Sequence, residues 1–360
     1  MPAMRGPRLL FFYSLIAILY FFAISSCAPA SSHSAFFFYL RQPGSPTLVL
    51  LDSPDAAQPV GELPLPPSPG CRFGSLIPAP KGALVAVEWQ CPFGPLTQVA
   101  DLGAAKILSL SDDPALDMHF LAWNPDGKSL YLKAGVLSNP QILRVDVASR
   151  QTTAMPIPPE TYSLEVSPAD GTIVWALTKG IGRGSQVWGS DAGSISSQMV
   201  LADPTHIIGL MRYSPDGKTI AAIRLPDDQS ALPPGELWLS DSEGKHPHFA
   251  ARADAGRGMF PVWSPDGEKI AFIGRDHPRD PDSINISILN ISTLQLSTFA
   301  PSNLHPSTFQ PVFPPTWSPD GSRLYLTLGA DGKMGLWSYE ISTGAAQKLF
   351  DDACCAGWTH

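Results

Sequence analysis

Hydrophobic and polar positions along the chain fall into one unit that keeps returning. A short apolar or aromatic run leads into a turn, and an alternating apolar stretch follows. The unit reads "LAWNPDGKSLY" from Leu121, "MRYSPDGKTIA" from Met211, "VWSPDGEKIAF" from Val262 and "TWSPDGSRLYL" from Thr316. Looser copies are "LIPAPKGALVAV" from Leu76 and "LEVSPADGTIVWAL" from Leu164. In the turn, Pro fixes φ for the second turn residue. The Asp carboxylate can accept from nearby backbone N–H groups. Gly supplies the positive φ that ends the turn. Two alternating runs around such a turn predict a β-hairpin, strands A and B. A second block follows, as in "ELWLSDSEG" from Glu236, "GLWSYEISTG" from Gly335 and "ILRVDVASR" from Ile142. It predicts a third strand, C, and a tight turn into a weak fourth, D, such as "AAQKLF" from Ala345.

The turn glycines are Gly82, Gly127, Gly171, Gly217, Gly267 and Gly321, at spacings of 45, 44, 46, 50 and 54 residues. Four-strand units of this length are propeller blades. The pattern resembles the WD40-like propeller repeats of the TolB type, which also occur in prolyl-oligopeptidase-like enzymes. The resemblance covers about residues 71–350 and implies an all-β β-propeller of four-stranded antiparallel blades. The ends decide the blade number. "FFFYL" from Phe36, "TLVLLD" from Thr47 and "PVGEL" from Pro59 read as B, C and D strands without an A strand. Trp358 in the terminal "CCAGWTH" follows Trp317 by 41 residues, one blade length, and reads as an A strand without a B. Joined, they close a seventh blade and remove exposed sheet edges. Seven blades are therefore expected, with six as the alternative.

The chain of 360 residues carries a net charge of −8, so it offers no basic footprint for nucleic acid. Its N-terminus has Arg5 and Arg8, then the apolar run Leu9 to Ser25, then "ISSC" ending at Cys27. This is similar to a bacterial lipobox, and the alternatives are an uncleaved anchor or a plain secreted form. The expectation is a signal peptide over 1–26, lipidation at Cys27, a tether over 28–35 and one propeller over 36–360. That places the protein in the bacterial cell envelope, extracytoplasmic and membrane-anchored. An exported chain can form disulfides. A hairpin turn centred near Lys81 sets Cys71 opposite Cys91, so that pair is the disulfide candidate, against two buried free thiols. The state of the adjacent Cys354 and Cys355 is open.

Chemistry is sparse. There is no G-x-S-x-G, and no room for the separate hydrolase domain of prolyl-oligopeptidase-like enzymes. "KGIGRGSQVWG" from Lys179 opens no helix and reads as a flexible loop, not a phosphate cradle. Histidines near the inner strands lie at different heights, so no metal, cofactor or catalytic residue is assigned. The A–B turns are uniform, while the B–C loops vary: "KGIGRGSQ" from Lys179, "PDDQSALPPG" from Pro226, "RDHPRDPDS" from Arg275 and "ADGKMG" from Ala330. Binding residues concentrate on loops carried by a rigid scaffold. The candidate partner contacts are therefore Arg183, Asp227, Asp228, Asp276, His277, Arg279 and Asp280. The expected function is a non-enzymatic module that binds a protein or cell-envelope component. The alternative is a polysaccharide lyase or hydrolase using a central pocket.

Overall fold

A computed structural model of the chain describes residues 35–359, apart from 43, 68, 93, 112–116, 136–138, 179, 181, 192–195, 229–234, 255–260, 276–283, 300–309, 312 and 331–332. Cys27 and the leader lie outside the described residues, as do Asp276, His277, Arg279 and Asp280. The described residues form seven antiparallel sheets and no helix, arranged as a β-propeller.

In chain order, blade 1 runs from Arg72–Pro78 to Lys106–Ser109, and blade 2 from Asp117–Trp123 to Thr152–Ala154. Blade 3 runs from Thr161–Val166 to Gln198–Asp203, and blade 4 from His206–Tyr213 to His248–Ala253. Blade 5 runs from Val262–Trp263 to Leu296–Phe299, and blade 6 from Gln310–Pro311 to Ala346–Asp351. The closing blade takes its inner strand, Ala353–Trp358, from the C-terminus. Its other strands, Phe37–Arg41, Thr47–Leu51 and Gly61–Pro64, come from the N-terminus. Phe37 pairs with Trp358 and Arg41 with Ala353 across that seam.

The core lies between blades. Seven apolar clusters occur among the described residues, one at each blade–blade interface. Each B strand serves two of them, because successive side chains point to opposite faces. Thus Leu130, Leu132 and Ala134 face blade 1, while Tyr131 faces blade 3. A strand buried on both faces needs a continuous apolar run, which is what "KIAFIG" and "RLYLTLG" supply.

The turns hold themselves. In the Ser-Pro-Asp-Gly copies the Ser hydroxyl donates to the Asp carboxylate, and the carboxylate accepts the amide two residues on, as with Lys218 on Asp216 at 3.1 Å and Glu268 on Asp266 at 2.9 Å. The Gly amide closes the turn on the Ser carbonyl, with φ near +70° at Gly217, Gly267 and Gly321.

The repeat Trp does more than fill the core. Its indole N–H crosses to the preceding blade and donates to the carbonyl just before that blade's own Trp position. Trp123 reaches the Ile77 carbonyl at 2.9 Å, Trp263 that of Arg212 at 3.1 Å, and Trp317 that of Val262 at 3.0 Å. The closing seam departs from this rule: the buried indole nitrogen of Trp358 has no hydrogen-bond partner. Aromatic contacts replace the bond there, with Phe37 against Tyr325 at 4.9 Å and against Trp358 at 5.3 Å.

Cys71 and Cys91 are joined by a disulfide across the first hairpin, with Cα atoms 4.1 Å apart. Their alignment depends on a bulge. Pro78 to Ser75 pair with Val85 to Glu88, but beyond Gly74 the register slips, so that Phe73 meets Trp89 and Arg72 meets Gln90. Without the slip Cys71 would face Pro92. Gly74 suits the bulge because a Cβ there would sit 2.9 Å from the Glu88 carbonyl oxygen.

Candidate binding face

The B–C loops share one face with the D–A connections, and on blades 3 and 4 these segments assemble a charged network. Asp203 ends the D strand of blade 3, and His206 begins the A strand of blade 4. Arg224 sits near the end of that blade's B strand, Glu236 and Trp238 at the start of its C strand. The Arg224 guanidinium donates to Asp203 at 2.7 Å, and its Nη2 lies 2.9 Å from His206 Nδ1. Arg224 also lies 3.6 Å from Glu236 and 4.5 Å above the Trp238 ring. The Trp238 indole donates to Glu236 at 2.8 Å. His206 Nδ1 also lies 2.8 Å from the Thr205 hydroxyl and 3.2 Å from Asp203. Burial works to raise the Asp203 carboxyl, but the Thr205 amide, Arg224, the Thr205 hydroxyl and His206 outweigh it and hold it below the ordinary value.

The network stands at one end of an apolar cleft of about 320 Å³ between blades 3 and 4, lined by Val187, Leu201, Met211, Ile220 and Leu239. A second cleft, about 880 Å³, lies on the other side of blade 3, with Pro156, Pro158, Glu160, Trp175, Gln186 and Trp188 in its wall. The B–C loop of blade 3 links the two: Gly180 lines the wide cleft, and a Cβ on Gly184 would lie 1.9 Å from the Asp203 carbonyl oxygen.

Asp227 ties that loop down. Its carboxylate accepts from the Gly184 amide at 2.8 Å. The amides of Gly184, Gly182 and Arg183 together hold its carboxyl below the ordinary value. The Thr178 hydroxyl donates to the Gly184 carbonyl at 2.9 Å. The loop read as flexible is thus tethered at its Gly184 end by Asp227 of the neighbouring blade. Arg183 and Asp228 are exposed beside it. The structure thus brings Arg183, Asp227 and Asp228 together. Sequence reasoning missed Asp203, Arg224, Glu236 and Trp238, which carry no local motif and meet only through blade packing.

The opposite face has a smaller site. Arg212 Nη1 donates to Glu165 at 2.9 Å in a cleft of about 250 Å³ walled by Pro78, Pro125, Pro168, Pro215, Phe120 and Tyr213. Burial pushes the Glu165 carboxyl up despite Arg212. Among the described residues, no three His, Cys, Asp or Glu side chains gather as a metal site.

These features define a seven-bladed β-propeller with a charged, clefted B–C face. No family model matches the chain. Over 116 residues it is 29% identical to the Tol-Pal system protein TolB of Ruthia magnifica subsp. Calyptogena magnifica, a match that covers 32% of this chain and 25% of that protein. Together with the fold, this supports propeller repeats of the TolB type. The fold is shared with an oligogalacturonate lyase of Vibrio parahaemolyticus, at TM-score 0.54 and 14% identity over 88% of this chain and 85% of that one. It is also shared with a puromycin-hydrolyzing peptidase of Mycobacterium tuberculosis, at TM-score 0.61 and 15% identity over 89% and 52%.

Proposed function

We propose that this protein is a non-enzymatic binding module of the bacterial cell envelope, which engages a protein or envelope component through the B–C face of blades 3 and 4. The observation that carries this reading is the network of Asp203, His206, Arg224 and Glu236, set at the end of an apolar cleft and flanked by exposed Arg183 and Asp228. Partly exposed charges around apolar clefts give orientation and specificity, while the clefts supply area. The match to a Tol-Pal system protein supports an extracytoplasmic setting. Lipid attachment at Cys27 would anchor it to the membrane.

The test is photo-crosslinking in the native cell. A crosslinker at Arg183 or Asp228 should capture a defined partner, and one at Lys218 in an A–B turn should not. Equal capture from Lys218 would sink the proposed face. Lipidation is tested by intact mass of the membrane-extracted protein, which should start at Cys27 with added acyl mass. The fold is shared with enzymes. Turnover on a panel of acidic and neutral polysaccharides would therefore overturn the non-enzymatic reading.

A further inference from the structure

Cys354 and Cys355 are neighbours in the strand that closes the ring, and both are buried. Successive residues of a strand point to opposite faces, so two adjacent cysteines in regular β structure hold their sulfurs apart. Here the Sγ atoms lie 2.7 Å from each other. Three features bring them together. Cys355 has φ of +59°, a left-handed conformation that costs a non-glycine residue energy. The ladder slips at the same place: Phe38 pairs with Gly357 and Leu40 with Cys354, leaving Cys355 and Ala356 opposite Tyr39. The bulge turns Cys355 to the side of Cys354. The Cys355 amide then donates to the buried Thr327 hydroxyl of blade 6 at 3.0 Å, which fixes the distorted backbone. Apolar packing alone needs none of this, since either residue could serve it from an ordinary strand.

We propose that Cys354 and Cys355 form a modification site, oxidised in the mature protein to a vicinal disulfide. The two thiols lose two protons and two electrons as the S–S bond forms. The electrons reduce the disulfide of an oxidised dithiol protein, which leaves as its dithiol. Once the ring is closed both sulfurs are shielded, and burial pushes the Cys355 thiol well up, so the thiolate needed for exchange is scarce. Oxidation therefore precedes docking of this last strand, and the bond then resists reduction until the propeller unfolds. Because the pair encloses no intervening residue, little chain entropy is removed. The bond acts locally, holding the backbone in the bulged form that the closing seam uses.

The proposal rests on the exported location, which supplies the oxidant, and one experiment separates the two. The full-length protein is acid-quenched, unfolded with iodoacetamide but no reductant, and digested with trypsin. The peptide Leu349–His360 should emerge unalkylated and two hydrogens lighter than the dithiol, and should take up two carbamidomethyl groups after reduction. Double alkylation without reductant, or linkage of either residue to Cys71 or Cys91, overturns the vicinal bond. Free Cys71 and Cys91 in the same digest would instead reject the oxidising compartment. The same mass deficit in a Cys71→Ala/Cys91→Ala variant would show that the pair closes without exchange from the first hairpin.

Discussion

At the scale of single residues, the turn aspartates show what the Pro-Asp-Gly signal encodes beyond a bend. The carboxyls of Asp126, Asp170, Asp216, Asp266 and Asp320 all lie below the ordinary carboxylate value. For Asp216 and Asp320 the first cause is the hydroxyl of the turn Ser, and for Asp170 it is the Thr172 amide. For Asp126 and Asp266 burial works the other way and the turn hydrogen bonds outweigh it. A folded pKa below the unfolded one adds stability above about pH 4, and that stability is lost as pH falls through the folded value. The urea midpoint should therefore stay level near neutrality and fall below about pH 4. Asp216→Asn should lower Tm by on the order of 1 °C at neutral pH, the size of a solvent-screened contact. It should cost less at pH 3. An equal loss at both pH values would remove the carboxylate from the explanation.

At the scale of elements, the sequence displayed the strands because their alternation and turn residues are local properties. The split of the closing blade between the two termini was legible too, from the Trp358 spacing and the orphan apolar runs after Ala35. Registers were less legible. The bulges at Gly74 and Cys355 are features of strand pairing rather than of the local residue pattern. The charged network on the B–C face was hidden for the same reason, since Asp203, Arg224 and Glu236 lie on three different strands. The Trp links allow a direct comparison. Trp317→Phe should destabilise by about 1–3 kcal/mol, because the Val262 carbonyl loses its buried donor. Trp358→Phe should cost clearly less, because its indole nitrogen has no partner to lose. Equal losses in urea titrations would mean that ring volume, not the hydrogen bond, accounts for the repeat Trp. Gly357 tests the seam itself. It pairs with Phe38, and a Cβ there would sit 2.4 Å from the end of that fully buried ring. Gly357→Val should cost about 1–3 kcal/mol by overpacking.

At the scale of the whole molecule, the ring makes a few terminal residues worth more than many loop residues. The strand Ala353–Trp358 is the inner strand of the closing blade and pairs with Phe37–Arg41. Its Cys354 and Cys355 pack into the interface with blade 1, and its Ala353 and Trp358 into that with blade 6. Deleting residues 354–360 unpairs the Phe37–Arg41 ladder, opens both interfaces and exposes Phe37 and Phe38, which are otherwise fully buried. Losses of this kind cost several kcal/mol for each large side chain involved. By contrast, residues 228–234 and 276–282 join the ends of neighbouring strands, and loop length enters stability only through a slow logarithmic term. Replacing both segments with Asp-Gly turns, with Asp227 kept for its bond to Gly184, should leave Tm within a few degrees of the parent while weakening partner capture at Arg183. The seven-residue truncation should instead broaden or abolish the cooperative melt. An unchanged Tm in the truncated protein would mean that the C-terminal strand does not close the ring.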